Sequence, residues 1–424
     1  MKGTKQLGAR PLSPEQIKQS VLREVQSVEV DDVHTHLFPA QFGKLMLSGI
    51  DELLVYHYLI AEGFRYWEMP YDTFWRLTKE QQADLVWETL FVQRAPISEA
   101  ARGVVTVLHR LGLDPAPGNL NKIRRWFAQQ KPEAMVERVL KLARVKTVYM
   151  ANSPFDLEEV AVWRSGWHCD ERFPAALRID PLVLDWPNTA ALLQAQGYRV
   201  SKTLTPGTIS GIRKFLADWT KLMSPRYLMI SLPPTFHYTK SSMAKQIIDR
   251  CILPHCLEND LPFAMMPGVI RQINPTLRLA GDGVGRVDLT GYATLMAEHP
   301  KIKFLLTVLS RENQHELCVL ARKLRNLHVF GCWWFTNIPS MIEEMTQMRI
   351  ELLGLSVTLQ HSDARVLEQL VYKWEHSRQI IGEVMSKKFI DLSHSGWPVN
   401  ADEIKQSVAC VFGNEFNRFI NSKA

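Results

Sequence analysis

The chain has 424 residues, of which 46% are hydrophobic and 22% are charged, and its formal net charge is +6. This length suits two or three domains or one large barrel, and the composition is typical of a globular enzyme. No run of about five like charges is present, so we expect neither nucleic acid nor a membrane as a partner.

The first predicted element is a helix over residues 13–27. Ser13 can cap it, Pro14 occupies its first position, and Gln16 completes a capping box with Ser13. The run VEVDDVHTHL follows and is typical of a strand.

Two histidines, His34 and His36, stand near the end of this strand. In a strand, residues two apart face the same side, so both imidazoles would converge on one point. Such a point suits a divalent metal ion. The pair alone leaves a second interpretation open, in which both histidines are ordinary surface residues.

Residues 41–145 have helical periodicity and little strand character, as in DELLVYHYLIAEGFRYW and EAMVERVLKLARV. We therefore expect a helical insertion over 41–145 within a single domain that spans 1–424. An insertion of this size would cover the active site or form a subunit contact.

From residue 145 onward, short apolar runs alternate with helical segments. Apolar strands separated by helices are typical of a parallel sheet covered on both faces. With the first strand, the runs give eight units, which favours a closed TIM-type (β/α)₈ barrel over an open doubly wound sheet. The runs cover residues 145–152, 174–182, 227–234, 262–269, 303–310, 327–334 and 355–363.

Polar side chains gather where these strands end, which is where a barrel carries its chemistry. Because the first and eighth strands of a closed barrel are neighbours, Asp363 can join His34 and His36 as a third ligand of one metal ion. Asp363 could instead form a structural ion pair. The other polar residues at strand ends are Arg178, Asp180, Ser231, Arg311, Asn313, Trp333 and Trp334.

Five stretches, VHTHL, YHYL, LRID, GCWWFTN and QHSDAR, occur in an order that resembles the uronate (glucuronate) isomerase family of the amidohydrolase superfamily. The resemblance covers essentially the whole chain. It implies a (β/α)₈ barrel that interconverts D-glucuronate with D-fructuronate and D-galacturonate with D-tagaturonate, which is an aldose–ketose isomerisation. It also implies one divalent metal ion, commonly Zn²⁺, bound by His34, His36 and Asp363.

The resemblance extends to the residues around the metal. It implies that Asp363, Tyr58 and Arg365 are catalytic, and that the substrate is bound by His57, Arg178, Arg365, Trp333 and Trp334. Taken alone, several of these residues have simpler explanations. Tyr58 and His57 could be core residues of an apolar helix, Arg178 could pair with Asp180 or Asp170, and the tryptophans could serve packing.

The sequence also departs from the better-known branch of the family. The fifth strand has Met265 and Met266 in place of a histidine, and the fourth has Ser231 in the region of an aspartate. We therefore interpret the chain as a divergent branch. The alternative functions are a mononuclear metal-dependent hydrolase, lactonase-like and acting on an acid sugar, and a barrel that binds without catalysis.

Six scattered cysteines without a CxxC spacing indicate reduced thiols and a cytoplasmic protein. We expect neither a signal peptide nor a membrane span. We expect a homo-oligomer whose partner is a small-molecule uronate.

The glycines of AGDGVG (280–285) lack the GxGxxG spacing, so we expect a loop after the fifth strand that reaches over the active site.

Overall fold

The computed structural model describes residues 11–116, 118–166, 170–238 and 241–422. Seven of its strands form one parallel sheet in the order β1-β2-β3-β4-β5-β8-β9, and β6 pairs with β7 in a separate antiparallel ribbon. The strands are β1 Val30–Thr35, β2 Val145–Asn152, β3 Ala175–Arg178, β4 Leu228–Leu232, β5 Phe263–Pro267, β6 Val269–Ile270, β7 Gly283–Val284, β8 Phe304–Leu306 and β9 Leu327–Val329.

Helices connect and cover these strands. The α-helices are α1 Pro14–Ser27, α2 Ile50–Leu54, α3 His57–Gly63, α4 Tyr71–Arg76, α5 Lys79–Trp87, α6 Glu99–Arg110, α7 Leu120–Ala128, α8 Pro132–Ala143, α9 Leu157–Arg164, α10 Asp180–Leu184, α11 Trp186–Ala195, α12 Pro206–Met223, α13 Met243–Ile247, α14 Leu253–Asn259, α15 Thr290–Glu298, α16 Gln314–Ala321, α17 Pro339–Leu353, α18 Gln369–His394, α19 Ala401–Ala409 and α20 Glu415–Asn421. Short 3₁₀ segments span Ala40–Leu45, Pro275–Gly281, Arg311–Asn313 and Trp334–Thr336, and π-helical turns span Glu88–Val92, Ile248–Ile252 and Cys410–Asn414.

The predicted parallel α/β organisation is confirmed. Strands β1 to β5, β8 and β9 follow one another across the sheet in chain order, with helices between them. The first helix also begins as predicted, because the Ser13 hydroxyl accepts from the Gln16 backbone while the Gln16 side chain accepts from the Ser13 backbone.

The run 355–363 is not a regular strand, in contrast to the prediction. Just beyond β9, Phe330 forms an isolated bridge with Thr358, and the Thr358 N–H donates to the Val329 carbonyl at 3.1 Å. Further along, the Asp363 N–H donates to the His34 carbonyl at 3.1 Å, and the His36 N–H donates to the Ala364 carbonyl at 2.8 Å. The segment therefore makes backbone hydrogen bonds to β9 on one side and to the end of β1 on the other.

Between β1 and β2 the described residues form seven α-helices, α2 to α8, and contribute no strand to either sheet. The stretch 51–67 was predicted to be helical throughout, but it breaks at Val55 and Tyr56. This break starts α3 at His57 and changes the direction in which the aromatic residues around it point.

Apolar side chains pack against both faces of the main sheet. One cluster of inward-facing residues is closed by the C-terminal helix α20, and its members include Val33, Tyr149, Ala176, Tyr227, Met229, Met266, Leu305, Phe330, Phe416 and Phe419. A second, larger cluster packs the helices against the outer faces of the strands. Side chains therefore fill the space on the inward-facing side of the sheet, and space for a ligand remains at the carboxyl ends of the strands.

Two further observations bear on the sequence predictions. Among the described residues no helix is long and apolar enough to cross a membrane. The described cysteines 251, 256, 318, 332 and 410 are free thiols, and Cys169 lies outside the described residues.

Candidate active site

The three predicted metal ligands lie together at the carboxyl end of the sheet. The ligating atoms of His34, His36 and Asp363 lie within 4.8 Å of one another, and each histidine Nε2 is 3.4 Å from Asp363 Oδ1. His34 belongs to β1, whereas His36 follows the last residue of that strand. Both rings nevertheless reach Asp363, as the alternation of side chains predicts.

A buried carboxylate below the site fixes the backbone around Asp363. Asp32 accepts from the Ser362 N–H at 2.9 Å and from the Trp374 indole N–H at 2.8 Å. Asp363 itself has a φ of +51°, in the left-handed region that asparagine and aspartate tolerate better than most residues. Asp32 therefore ties the metal-ligand segment to β1 and to α18, where Trp374 lies.

The residues present fit a divalent ion. The buried Asp363 Oδ1 and His34 Nδ1 have no hydrogen-bond partner among the described residues. Two ligands placed about 2.0–2.1 Å from one tetrahedral ion lie roughly 3.4 Å apart, which is the separation of Asp363 Oδ1 from each Nε2. Two nitrogens and one oxygen form an open set that leaves a position for substrate.

Burial and charge put two of these ligands, His36 and Asp363, in their metal-binding protonation states. Burial lowers the pKa of His36 to about 4, against the opposing effect of the Asp363 carboxylate, so the ring is neutral at physiological pH. Burial alone would raise the pKa of Asp363, but the His34 and His36 rings hold it well below its ordinary value. The site thus offers an anionic carboxylate and a lone pair on His36.

His361 lies next to the ligand group without joining it. Its ring is 5.1 Å from that of His34 in an edge-on contact, and neither of its nitrogens has a partner among the described residues. Space for the ring comes from Gly331, where a Cβ would be 1.8 Å from His361 Cδ2.

A cavity of about 440 Å³ opens above the three ligands, a size that suits a small ligand. It is lined by His34, His36, Tyr56, His57, Arg178, Met229, Ser231, Arg271, Gln272, Leu279, Asp282, Trp333, Trp334, Asp363 and Arg365.

Both arginines that the sequence predicted for the site line this cavity, and they differ in whether an acidic residue pairs with them. Arg178 forms a two-pronged ion pair with Asp180, at 3.0 Å and 3.1 Å, and this charge raises the pKa of the Arg178 guanidinium. Asp180 also accepts from the Ser231 N–H. The Arg365 guanidinium has no ion pair with an acidic residue in the described parts of the chain, so its N–H groups are available to a ligand.

His57 reaches the cavity, but Tyr58 does not line it. Burial lowers the pKa of His57 to about 3, and its Nε2 has no partner within the described residues. The ring of Tyr58 packs against His57, Tyr56 and Phe335, with a buried hydroxyl. The tyrosine that does line the cavity is Tyr56, just before α3.

Both predicted tryptophans line the cavity. Trp333 is 3% exposed, and Trp334 is stacked on Phe335 and edge-on to His57. Trp334 has a φ of +47°, which is rare for a bulky side chain, so the surrounding contacts must hold it in place. Its indole N–H is buried without a partner among the described residues.

Two residues that were placed with the site from the sequence lie elsewhere. Arg311 is exposed and pairs with Glu344 at 2.9 Å, and the buried Asn313 side chain binds the backbone of Val287. Both residues follow β8, which ends at Leu306, and their side chains are engaged by these contacts outside the cavity.

Sequence reasoning also missed several lining residues. Four of them, Arg271, Gln272, Leu279 and Asp282, come from the loop that follows β5. The expectation that this loop reaches over the site agrees with the lining of the cavity. Of its four lining residues, only Asp282 lies within the AGDGVG run at 280–285.

Comparisons with known proteins agree with this geometry. The chain matches the structure of a uronate isomerase from Bacillus halodurans C-125 with a TM-score of 0.95 and 49% identity, covering 96% of this chain and 97% of that one. It also matches a uronate isomerase from Thermotoga maritima (TM-score 0.78, 14% identity, 99% and 100% covered) and a glucuronate isomerase from Caulobacter crescentus (0.77, 14%, 99% and 98%). At 14% identity these two support the fold alone. No protein-family model and no curated protein matches the chain.

Proposed function

The chain belongs to the uronate isomerase family, and we propose that it interconverts D-glucuronate with D-fructuronate and D-galacturonate with D-tagaturonate. The observation that carries this proposal is a single cavity lined both by the His34, His36 and Asp363 group and by the unpaired guanidinium of Arg365. Three potential metal ligands and a guanidinium without an acidic partner, in one cavity, suit a small, anionic, hydroxyl-rich substrate.

The reaction moves a proton from C2 to C1 of the open-chain sugar. It requires a base, a proton carrier between the two oxygens, and stabilisation of the enediolate. A bound divalent ion would act as a Lewis acid on substrate oxygens. In this proposal Asp363 and one of two neighbouring tyrosines transfer the protons, either Tyr58, as the sequence predicted, or Tyr56, which lines the cavity. Arg365 donates to the enediolate oxygen.

The carboxylate distinguishes a uronate from a neutral sugar. A guanidinium binds a carboxylate with two parallel hydrogen bonds, better than an ammonium does. We assign this role to Arg178, which Asp180 orients from the opposite side. His57, Trp333 and Trp334 would complete the substrate pocket as neutral surfaces.

The finer features of the fold belong to the same proposal. We propose that the segment 358–364 acts as the eighth strand position of a (β/α)₈ barrel, because it makes backbone hydrogen bonds towards both β9 and β1. We also propose that 1–424 is one domain, with residues 41–145 as a helical insertion that contributes His57 to the pocket.

The metal and the cellular setting are proposed on chemical grounds. Two imidazoles and a carboxylate suit Zn²⁺, which takes nitrogen and oxygen ligands in tetrahedral sites. Free thiols at the described cysteines suit a reducing compartment, so we propose the cytoplasm, a uronate as the small-molecule partner, and a homo-oligomeric assembly.

A direct comparison of reactions tests the proposal against a lactonase-like hydrolase. Zinc-loaded protein is incubated in parallel with D-glucuronate, D-galacturonate and D-glucuronolactone, and the products are separated by chromatography. We expect the two ketoses from the free acids and no hydrolysis of the lactone above the rate without protein. Lactone hydrolysis without ketose formation would favour the hydrolase.

A further inference from the structure

The loop after β5 contributes a charged side chain to the cavity that the proposed reaction does not yet use. Arg271 follows the last residue of β6 and lines the cavity together with Trp334 and Arg365. Its guanidinium carbon lies 5.9 Å from the centre of the Trp334 ring, and the side chain is 52% exposed.

A buried carboxylate orients this arginine. Arg271 Nη1 donates to Asp282 Oδ2 at 2.6 Å, and the Asp282 side chain is 2% exposed. The other oxygen of Asp282 accepts from the Gln272 N–H at 2.8 Å. The ion pair uses one of the five N–H donors of the guanidinium, which leaves donors available to a molecule in the cavity.

The loop that carries Arg271 is anchored at both ends. At its base β6 pairs with β7, through Val269 with Val284 and Ile270 with Gly283. At its tip the Trp75 indole N–H donates to the Thr276 carbonyl at 2.8 Å. The loop that carries Arg271 is therefore held both by the β6–β7 ribbon and by a contact with the helical region 41–145.

We propose that Arg271 is a substrate-binding residue whose free N–H groups donate to oxygen atoms of the bound acid sugar, with Asp282 as its positioning residue. This inference rests on the proposed function. In the proposed function Arg178 binds the substrate carboxylate and Arg365 donates to the enediolate oxygen, which leaves other oxygens of the sugar without a donor. Arg271 thus adds a third guanidinium, presented from the loop rather than from a strand end of the main sheet.

The first test is the kinetics of Arg271→Met with D-glucuronate. Arg271→Met would remove a charged hydrogen bond that the bound substrate makes equally in the ground state and in the transition state. We therefore expect KM to rise about 10- to 100-fold and kcat to stay within about threefold of the wild-type value. Arg271→Lys should recover part of the loss. The matched control is Arg286→Met, because Arg286 is exposed on the same loop and does not line the cavity.

A double-mutant cycle tests the role given to Asp282. If Asp282 acts through Arg271, Asp282→Asn should raise KM in the wild type but have little further effect in Arg271→Met. Equal effects of Asp282→Asn in both backgrounds would mean that Asp282 supports the loop independently, and would contradict the positioning role.

The outcomes separate this inference from the proposed function. If the wild type turns over uronates and Arg271→Met has wild-type KM and kcat, the inference is overturned and the isomerase stands. If the wild type turns over neither uronate, the isomerase proposal fails. Calorimetric titration with D-glucuronate then decides on Arg271. Weaker binding by Arg271→Met supports the inference, and identical behaviour, including no binding by either protein, overturns it.

Discussion

Among single side chains, that of Arg365 is the one on which the proposed reaction depends most directly. Its guanidinium lines the cavity beside Asp363, and no described acidic residue pairs with it. A protein seldom keeps an unpaired cation in a pocket without a ligand to receive it, because desolvation of the charge is costly.

We predict that Arg365→Met lowers kcat/KM for D-glucuronate about 100- to 1000-fold, the usual effect of removing one donor to a developing oxyanion. Because the guanidinium has no acidic partner to leave behind, the melting temperature should change little. Arg311→Met is the control, since Arg311 is exposed and pairs with Glu344. Wild-type steady-state kinetics in Arg365→Met would remove this residue from the reaction.

The two tyrosines near α3 give a second prediction. Tyr58 is the residue that the sequence predicted for proton transfer, whereas Tyr56 is the one that lines the cavity. If Tyr58 moves the proton, Tyr58→Phe should lower kcat about 100-fold and Tyr56→Phe should have a much smaller effect. The reverse order of the two kcat values would transfer the role to Tyr56.

The burial of Glu159 predicts that the free energy of unfolding depends on pH. Glu159 is buried, accepts from the Asn152 amide and the Ser153 N–H, and burial raises its pKa to about 7 from an ordinary value of 4.5. Between these two pH values the folded protein binds one proton more than the unfolded chain. Stability is therefore lost as pH rises through this window, by about 3 kcal/mol at most.

Glu159→Gln should abolish that loss, because an amide oxygen can accept the same two hydrogen bonds without ionising. Denaturant unfolding at pH 5 and pH 8 measures it. The control Glu158→Gln removes one carboxyl from the adjacent, exposed position, where Glu158 pairs with Lys44. An equal pH 5 to pH 8 difference in Glu159→Gln and wild type would contradict the prediction.

At the scale of elements, the loop after β5 shows why glycines in a sequence need not mark a cofactor site. At Gly281 a Cβ would lie 1.9 Å from the Asn274 carbonyl oxygen, and at Gly283 it would lie 2.0 Å from Ile273 Cδ1. Both glycines allow the two arms of the loop to approach, and Asp282 stands between them. Close packing of the loop is thus the physical reason for the AGDGVG run.

We predict that Gly281→Ala raises KM for D-glucuronate at least about tenfold, because backbone cannot yield as a flexible side chain can and the neighbouring Asp282 would be displaced. Gly207→Ala on α12 is the control, since its Cβ would meet only Thr205 Oγ1, at 3.8 Å. An unchanged KM in Gly281→Ala would mean that this loop does not shape the substrate pocket.

Elements differed in how well the sequence predicted them. Helix α1 and the parallel strands β1 to β5 were recognisable because capping and apolar runs are local signals. The run 355–363 was predicted as a strand, yet it forms only an isolated bridge at Thr358 and ends in left-handed backbone at Asp363. The break before α3 was missed as well, and with it the placement of Tyr56 in the cavity.

For the whole molecule, motif spacing located the proposed metal ligands because strand order brings sequence-distant ends together. His34, His36 and Asp363 needed only the alternation of β1 and the adjacency of the chain's first and last strand positions. Arg271 and Asp282 had no such signal. Their placement depends on how a loop packs against the helices of residues 41–145, which is a tertiary contact and leaves no periodic trace in the sequence.

Proton NMR of D-glucuronate in D₂O with zinc-loaded protein shows whether the cavity isomerises a uronate. We expect resonances of D-fructuronate, with deuterium at C1 in proportion to solvent exchange at the base, and no conversion by Asp363→Asn. D-glucuronate and D-galacturonate that both stay unchanged beside fully metal-loaded protein would contradict the proposed isomerisation.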